Sequence, residues 1–142
     1  MLRSSMIAAA LMLSFAACLC AAQAGDSLYH DLGERAGITQ IIDKSMVLFL
    51  ADDRIKDTFS QSNIPRLKGM LVDFIQKVSG GPDVYKGANM KAAHRELHLT
   101  NADFNALVED LQTGMDESGV SFATQNRLLA ILAPMQRDVV TR

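Results

Sequence analysis

From Ser27 to the C-terminus the apolar positions return every three or four residues, which is the period of a helix. Ser27 is placed to cap a short opening helix that stops near Gly33. Ile38, Ile41, Ile42, Met46 and Phe49 then form the stripe of an amphipathic helix ending near Asp52 and Asp53. In the short segment from Arg54 to Gln61, Ile55 and Phe59 are spaced to share a face. Asn63 caps the next helix, and Pro65 occupies its first turn, where a missing N–H costs nothing. Leu67, Met70, Leu71, Phe74 and Val78 mark its inner face, and Gly80-Gly81-Pro82 ends it.

After a loop through Tyr85 and Gly87, Asn89 caps a short helix reading MKAAHREL. Thr100 and Asp103 resemble a capping box ahead of Phe104, Leu107, Val108, Leu111 and Met115, and Gly119 closes that helix. A last helix from about Phe122 carries Leu128, Leu129, Leu132, Met135 and Val139, with a kink predicted at Pro134. No segment alternates with strand period, so the pattern predicts an all-α domain.

The N-terminus reads differently. Arg3, the apolar run from Ile7 to Cys20 and the small-x-small site Ala22-Gln23-Ala24 predict a secretory signal peptide over residues 1–24. A lipoprotein with Cys18 lipidated fits less well, because no leucine-like residue stands three positions earlier. The domain is then residues 25–142, exported to the periplasm and free of the membrane once the leader is removed. Both cysteines, Cys18 and Cys20, leave with the leader, so no disulfide and no Cys-x-x-Cys-His haem attachment is expected. Loss of Arg3 takes the net charge from −2 to −3, with the charges interspersed. No basic block follows a phosphate backbone, which argues against nucleic acid as a partner.

The chemistry rests on the histidines. On a helix starting at Asn89, Met90, Ala93, His94 and Leu97 make one apolar stripe, with His94 in its middle and His98 at its edge. His94 reads either as a core histidine bonded to carbonyls or as an inward metal ligand. His98, near the predicted helix end, reads as a surface residue favoured by the helix dipole. A zinc site would need a third protein ligand, and His30 is remote.

Several runs taken in order, SLYHDLG, ADDRIKDTF, NIPRLKGMLVDF, SGGPDVYKG, MKAAHREL and LTNADF, resemble the group I truncated haemoglobins over essentially all of residues 27–142. The resemblance implies a truncated two-over-two globin-like helical sandwich holding non-covalent haem b, with His94 of Ala93-His94-Arg95-Glu96-Leu97 as the proximal iron ligand. It places Phe59 at the corner against the haem, Leu67 and Leu71 on the ligand side, and Phe74 against the porphyrin. Lys68 and Tyr85 become candidates for the propionates. The implied partner is a diatomic gas, O₂, NO or CO, in a monomer or weak oligomer whose redox partner the sequence does not name.

The chain departs from that family on the distal side. Where relatives carry Phe-Tyr, this chain has Ser45-Met46, and where they often carry Gln it has Leu71. The tyrosine hydroxyl that donates to the gas is therefore missing, and the expected pocket is apolar, with O₂ held less well than CO or NO. Met46 could instead bind iron opposite His94, which would suit electron transfer. Peroxidase turnover needs a distal acid or base. Nitric oxide dioxygenation needs well-held O₂ and an electron supply that an exported protein cannot draw from cytosolic reductases. A gas-binding protein is thus the expected role, with electron transfer or dioxygenase-like activity as the alternatives.

Overall fold

The computed structural model describes residues 27–142, so the expected leader over residues 1–24 lies outside the described residues. Its elements are α1 (Leu28–Asp31), α2 (Glu34–Ala51), a 3₁₀ turn (Lys56–Phe59), α3 (Ile64–Val78) and α4 (Met90–His94). They continue with α5 (Asn101–Glu117), α6 (Phe122–Leu132), a second 3₁₀ turn (Ala133–Met135) and α7 (Gln136–Val139). No strand occurs among the described residues. None of the described helices is long and apolar enough to cross a membrane.

The caps anticipated from sequence are formed. The Ser27, Asn63 and Asn89 side chains accept from the N–H groups of His30, Arg66 and Ala92. Thr100 and Asp103 make the reciprocal capping box, satisfying two of the donors a helix start leaves unpaired. Pro134 lies in the second 3₁₀ turn, which breaks the last helical run into α6 and α7. A proline ring clashes with the preceding turn of an α-helix, and this break redirects the chain so that α7 packs on α4.

The most extensive helix contacts join α2 to α5 and to α3, while α5 in turn packs on α6 and α7. This gives two helical layers with α2 central. Ile38, Ile41, Ile42, Met46 and Phe49, the whole predicted stripe, are buried. Where α2 meets α5, the backbones come close: a Cβ added to Gly114 would lie 2.1 Å from Ser45 Oγ. The Ser45 hydroxyl is fully buried there and has no hydrogen-bond partner.

Two other glycines make opposite predictions. A Cβ at Gly37, in the first turn of α2, would fall 2.1 Å from the Leu32 carbonyl oxygen, a backbone atom that cannot swing away. Gly69, on the exposed side of α3, has nothing within 4 Å of its Cβ position. Gly37→Ala should therefore lower stability by about 2 kcal/mol or more through overpacking, and Gly69→Ala should raise it by about 0.5 to 1 kcal/mol through helix propensity. Urea midpoints of the two variants check the sign of each.

Candidate functional site

Beneath this frame lies a cavity of about 500 Å³ bounded by α2, the corner, α3, α4, α5 and the C-terminal segment. Its volume is in the range of small-molecule and cofactor sites. Leu67, Met70, Leu71 and Phe74 of α3 form one wall, and Phe104, Leu107 and Leu111 of α5 another. Ile42 and Phe49 of α2 reach it beside Phe59, whose ring stacks on that of Phe49 with centroids 5.8 Å apart. His94 enters from α4.

The walls are overwhelmingly apolar, and the exceptions are few. The Thr58 and Ser62 hydroxyls sit at the corner next to Phe59, and Asp103 stands at the start of α5. The Thr100 N–H and hydroxyl donate to Asp103, holding its carboxyl below the usual carboxylate range, so it is charged at neutral pH.

His94 is half-buried, and its Nδ1 lies 2.7 Å from the Met90 carbonyl oxygen. A carbonyl has no proton to give, so Nδ1–H is the donor and the neutral ring carries its lone pair on Nε2. Nε2 has no hydrogen-bond partner among the described residues. This is the arrangement in which a carbonyl fixes the tautomer and ring orientation of a metal-binding histidine.

A single basic nitrogen in an apolar cavity selects what can bind. Among the described residues there is no group of three or more His, Cys, Asp or Glu able to hold a bare metal ion. A metal bound here must bring most of its ligands with it, inside a flat apolar body that the phenylalanine and leucine walls can cover. An iron porphyrin meets both conditions, and the residues present fit it.

Of the residues expected from sequence, His94, Phe59, Leu67, Leu71, Phe74 and Tyr85 line the cavity together. Met46 and Lys68 are not among the lining residues. Met46 is 3% exposed and packs within the core. At about 100° per residue, Ile42 and Phe49 lie within roughly 20° of each other around α2, while Met46 is turned some 40° from Ile42. The Lys68 ammonium pairs with Asp43 across α2 and α3.

Tyr85 keeps its place at the wall but not its expected task. Its hydroxyl donates its one proton to the Ala88 carbonyl at 2.7 Å, and its ring meets Phe74 edge-on at 5.5 Å. A propionate, which only accepts, finds no free proton there.

His98 is exposed, as expected of a surface residue, but the helix end expected beside it is not there. The helix ends at His94 rather than running on to His98, whose φ is 51°. Ile42, Phe49, Phe104, Leu107, Met135 and Val139 were expected as apolar stripe residues but not as part of the site, and they line the cavity. All but Phe49 and Ile42 come from the C-terminal half, and their apolar periodicity marks burial without separating cavity from core.

The model of the family described as Bacterial-like globin matches residues 27–141. The group 1 truncated hemoglobin GlbN of Mycolicibacterium paratuberculosis is 30% identical over 115 residues, covering 81% of this chain and 85% of that one. The group 1 truncated hemoglobin of Tetrahymena pyriformis is 29% identical over 114 residues, covering 80% and 94%. The crystal structure of the Tetrahymena pyriformis protein in its Fe(III) form superposes with a TM-score of 0.78, covering 81% of this chain and 98% of that chain. The 2/2 hemoglobin of Synechococcus sp. PCC 7002, in the cyanomet state with covalently attached heme, is 30% identical with a TM-score of 0.77, covering 82% and 99%. The two-layered helical fold, the apolar cavity with its one free imidazole nitrogen and these matches agree: the chain belongs to the bacterial-like globins, among the group 1 truncated haemoglobins, and its cofactor is haem.

Proposed function

We propose that this protein binds a diatomic gas at haem iron held by His94, in a pocket whose ligand side offers no hydrogen-bond donor. The observation that carries the reading is the His94 ring, fixed by Met90 so that Nε2 is left as an unshared base at an apolar cavity. When bound, haem would be held through His94 and would supply an iron that takes a diatomic gas, O₂ drawing more negative charge than CO. Phe59 and Phe74 line the cavity and would pack against the ring and exclude water. Leu67 and Leu71, with Ile42 and Phe49, line the cavity and would supply only apolar contact to the gas.

The hydroxyls at the wall do not repair this lack. Tyr85 is committed to Ala88, and Thr58 and Ser62 lie before α3, in and just after the 3₁₀ turn. A donor in such a place contributes ~1 to 3 kcal/mol, and its absence weighs on O₂ far more than on CO. The ratio of CO to O₂ affinity is therefore expected to exceed that of family members carrying the distal tyrosine. Flash photolysis and stopped-flow measurements give the ratio, and a value at or below theirs would overturn the donor-free pocket.

Met46, the candidate sixth ligand, gains no support from its place in the core, so gas binding is favoured over electron transfer. Export to the periplasm belongs to the same proposal and rests on the leader-like residues 1–24.

A further inference from the structure

The helix that carries His94 is only five residues long, and none of its residues is buried. A helix of that length does not sustain itself in water, and this one has no buried face of its own to hold it. Its position must be set from outside, at its two ends.

Upstream the restraint is local. Asn89 caps the helix through the Ala92 N–H, and the Tyr85 hydroxyl holds the Ala88 carbonyl. Gly87 makes room for that phenol, since a Cβ there would lie 2.3 Å from its oxygen.

Downstream the restraint comes from the far end of the chain. The Leu97 N–H bonds to the His94 carbonyl at 3.0 Å, and the left-handed turn at His98 then sends the buried Leu99 back toward the cavity. The Leu99 carbonyl accepts two backbone N–H groups, from Thr141 at 2.9 Å and Arg142 at 3.1 Å. Outside the helices, and among the described residues, only one other backbone hydrogen bond joins distant parts of the chain, from Tyr29 N–H to the Ser79 carbonyl. Just before Thr141, α7 packs on α4, and Val139, 8% exposed, forms part of the cavity wall. This segment follows directly on the 3₁₀ turn that holds Pro134.

We infer that the segment after Pro134 is a positioning latch for the proximal histidine: the paired bonds of Thr141 and Arg142 to Leu99 hold α4 against the cavity and set the approach of His94 to the iron. The inference rests on His94 being the iron ligand. Because both donors are backbone groups, the side chains of Thr141 and Arg142 are dispensable. Arg142 also lies near enough to lower the Asp103 carboxyl, so a variant without that charge is needed as a control.

The test compares the native chain, a chain stopped after Val140, Thr141→Pro, and the double variant Thr141→Ala with Arg142→Ala, which keeps both N–H groups. Two readouts are taken: the ferrous iron–imidazole stretching band by resonance Raman, and amide hydrogen exchange with and without haem. Stopping the chain at Val140 should shift or broaden the band and speed exchange over residues 89–97 by about tenfold, the equivalent of roughly one to two lost hydrogen bonds. Exchange in α2 should stay unchanged. Thr141→Pro should give a smaller effect of the same kind, and the double alanine variant should match the native protein.

An unchanged band and unchanged exchange in the shortened chain would overturn the latch, as would equal acceleration throughout α2. If the shortened chain does not fold, Thr141→Pro against the double alanine variant decides in its place. If the native protein itself shows no iron–imidazole band, the His94 reading has failed instead, and exchange without haem alone settles whether the tail holds α4.

Discussion

His94→Gly is expected to abolish the iron–imidazole bond, weaken haem binding by more than the roughly 10- to 100-fold that loss of a mere outer partner costs, and be rescued by added imidazole. The expectation follows from how the ring is held. Its Nδ1–H is spent on Met90, so the only group His94 presents to the cavity is the Nε2 lone pair. Removing the ring leaves the apolar walls of α3 and α5 intact, so some haem uptake by burial should persist. The vacated space adjoins the cavity and is the size of the imidazole that would refill it. A histidine serving only to pack would behave otherwise. Its loss would cost stability, haem uptake would be unchanged, and imidazole would restore nothing. Titration of haemin into both proteins, with and without imidazole, separates the two.

Leu71→Gln is expected to slow O₂ release by ~5- to 150-fold, the kinetic equivalent of a hydrogen bond worth ~1 to 3 kcal/mol in a low-dielectric pocket. Leu71 is half-buried on the α3 wall, and no side chain on that face of the cavity carries an oxygen acceptor that competes for the new amide N–H. CO release should change far less, so the CO to O₂ ratio falls. The introduced amide also brings a cost, because when no gas is present its N–H₂ is left without a partner in an apolar site. A slight loss of thermal stability in the gas-free ferrous protein is the expected sign of that cost. Stopped-flow release rates for both gases check the first effect, and equal slowing of both would indicate a steric change instead.

Most of the frame was legible in the sequence because its signals are local. The period of Ile38 to Phe49, the caps at Asn63 and Asn89 and the Thr100–Asp103 box each depend on neighbours within a turn, and all appear as expected. The inward placement of His94 was legible for the same reason.

What escaped depends on distant parts of the chain. Nothing in Arg95-Glu96-Leu97-His98 stops a helix, yet α4 ends at His94, and beyond it Leu99 is buried with its carbonyl bonded to the tail. Ile42, Met46 and Phe49 read as one stripe and all three are buried, yet only the first and last reach the cavity, a distinction that apolar periodicity does not make. Lys68 is drawn to Asp43 on another helix; the Tyr85–Ala88 bond is local but lies in a loop, where no period fixes side-chain direction.

The most direct test of the account is a haemin titration of residues 25–142, followed by reduction and by addition of CO. The account predicts one haem per chain, a five-coordinate ferrous form with an iron–imidazole band, and a CO complex formed without displacing any protein group. Weak, non-stoichiometric uptake, identical in the native chain and in His94→Gly, would contradict it.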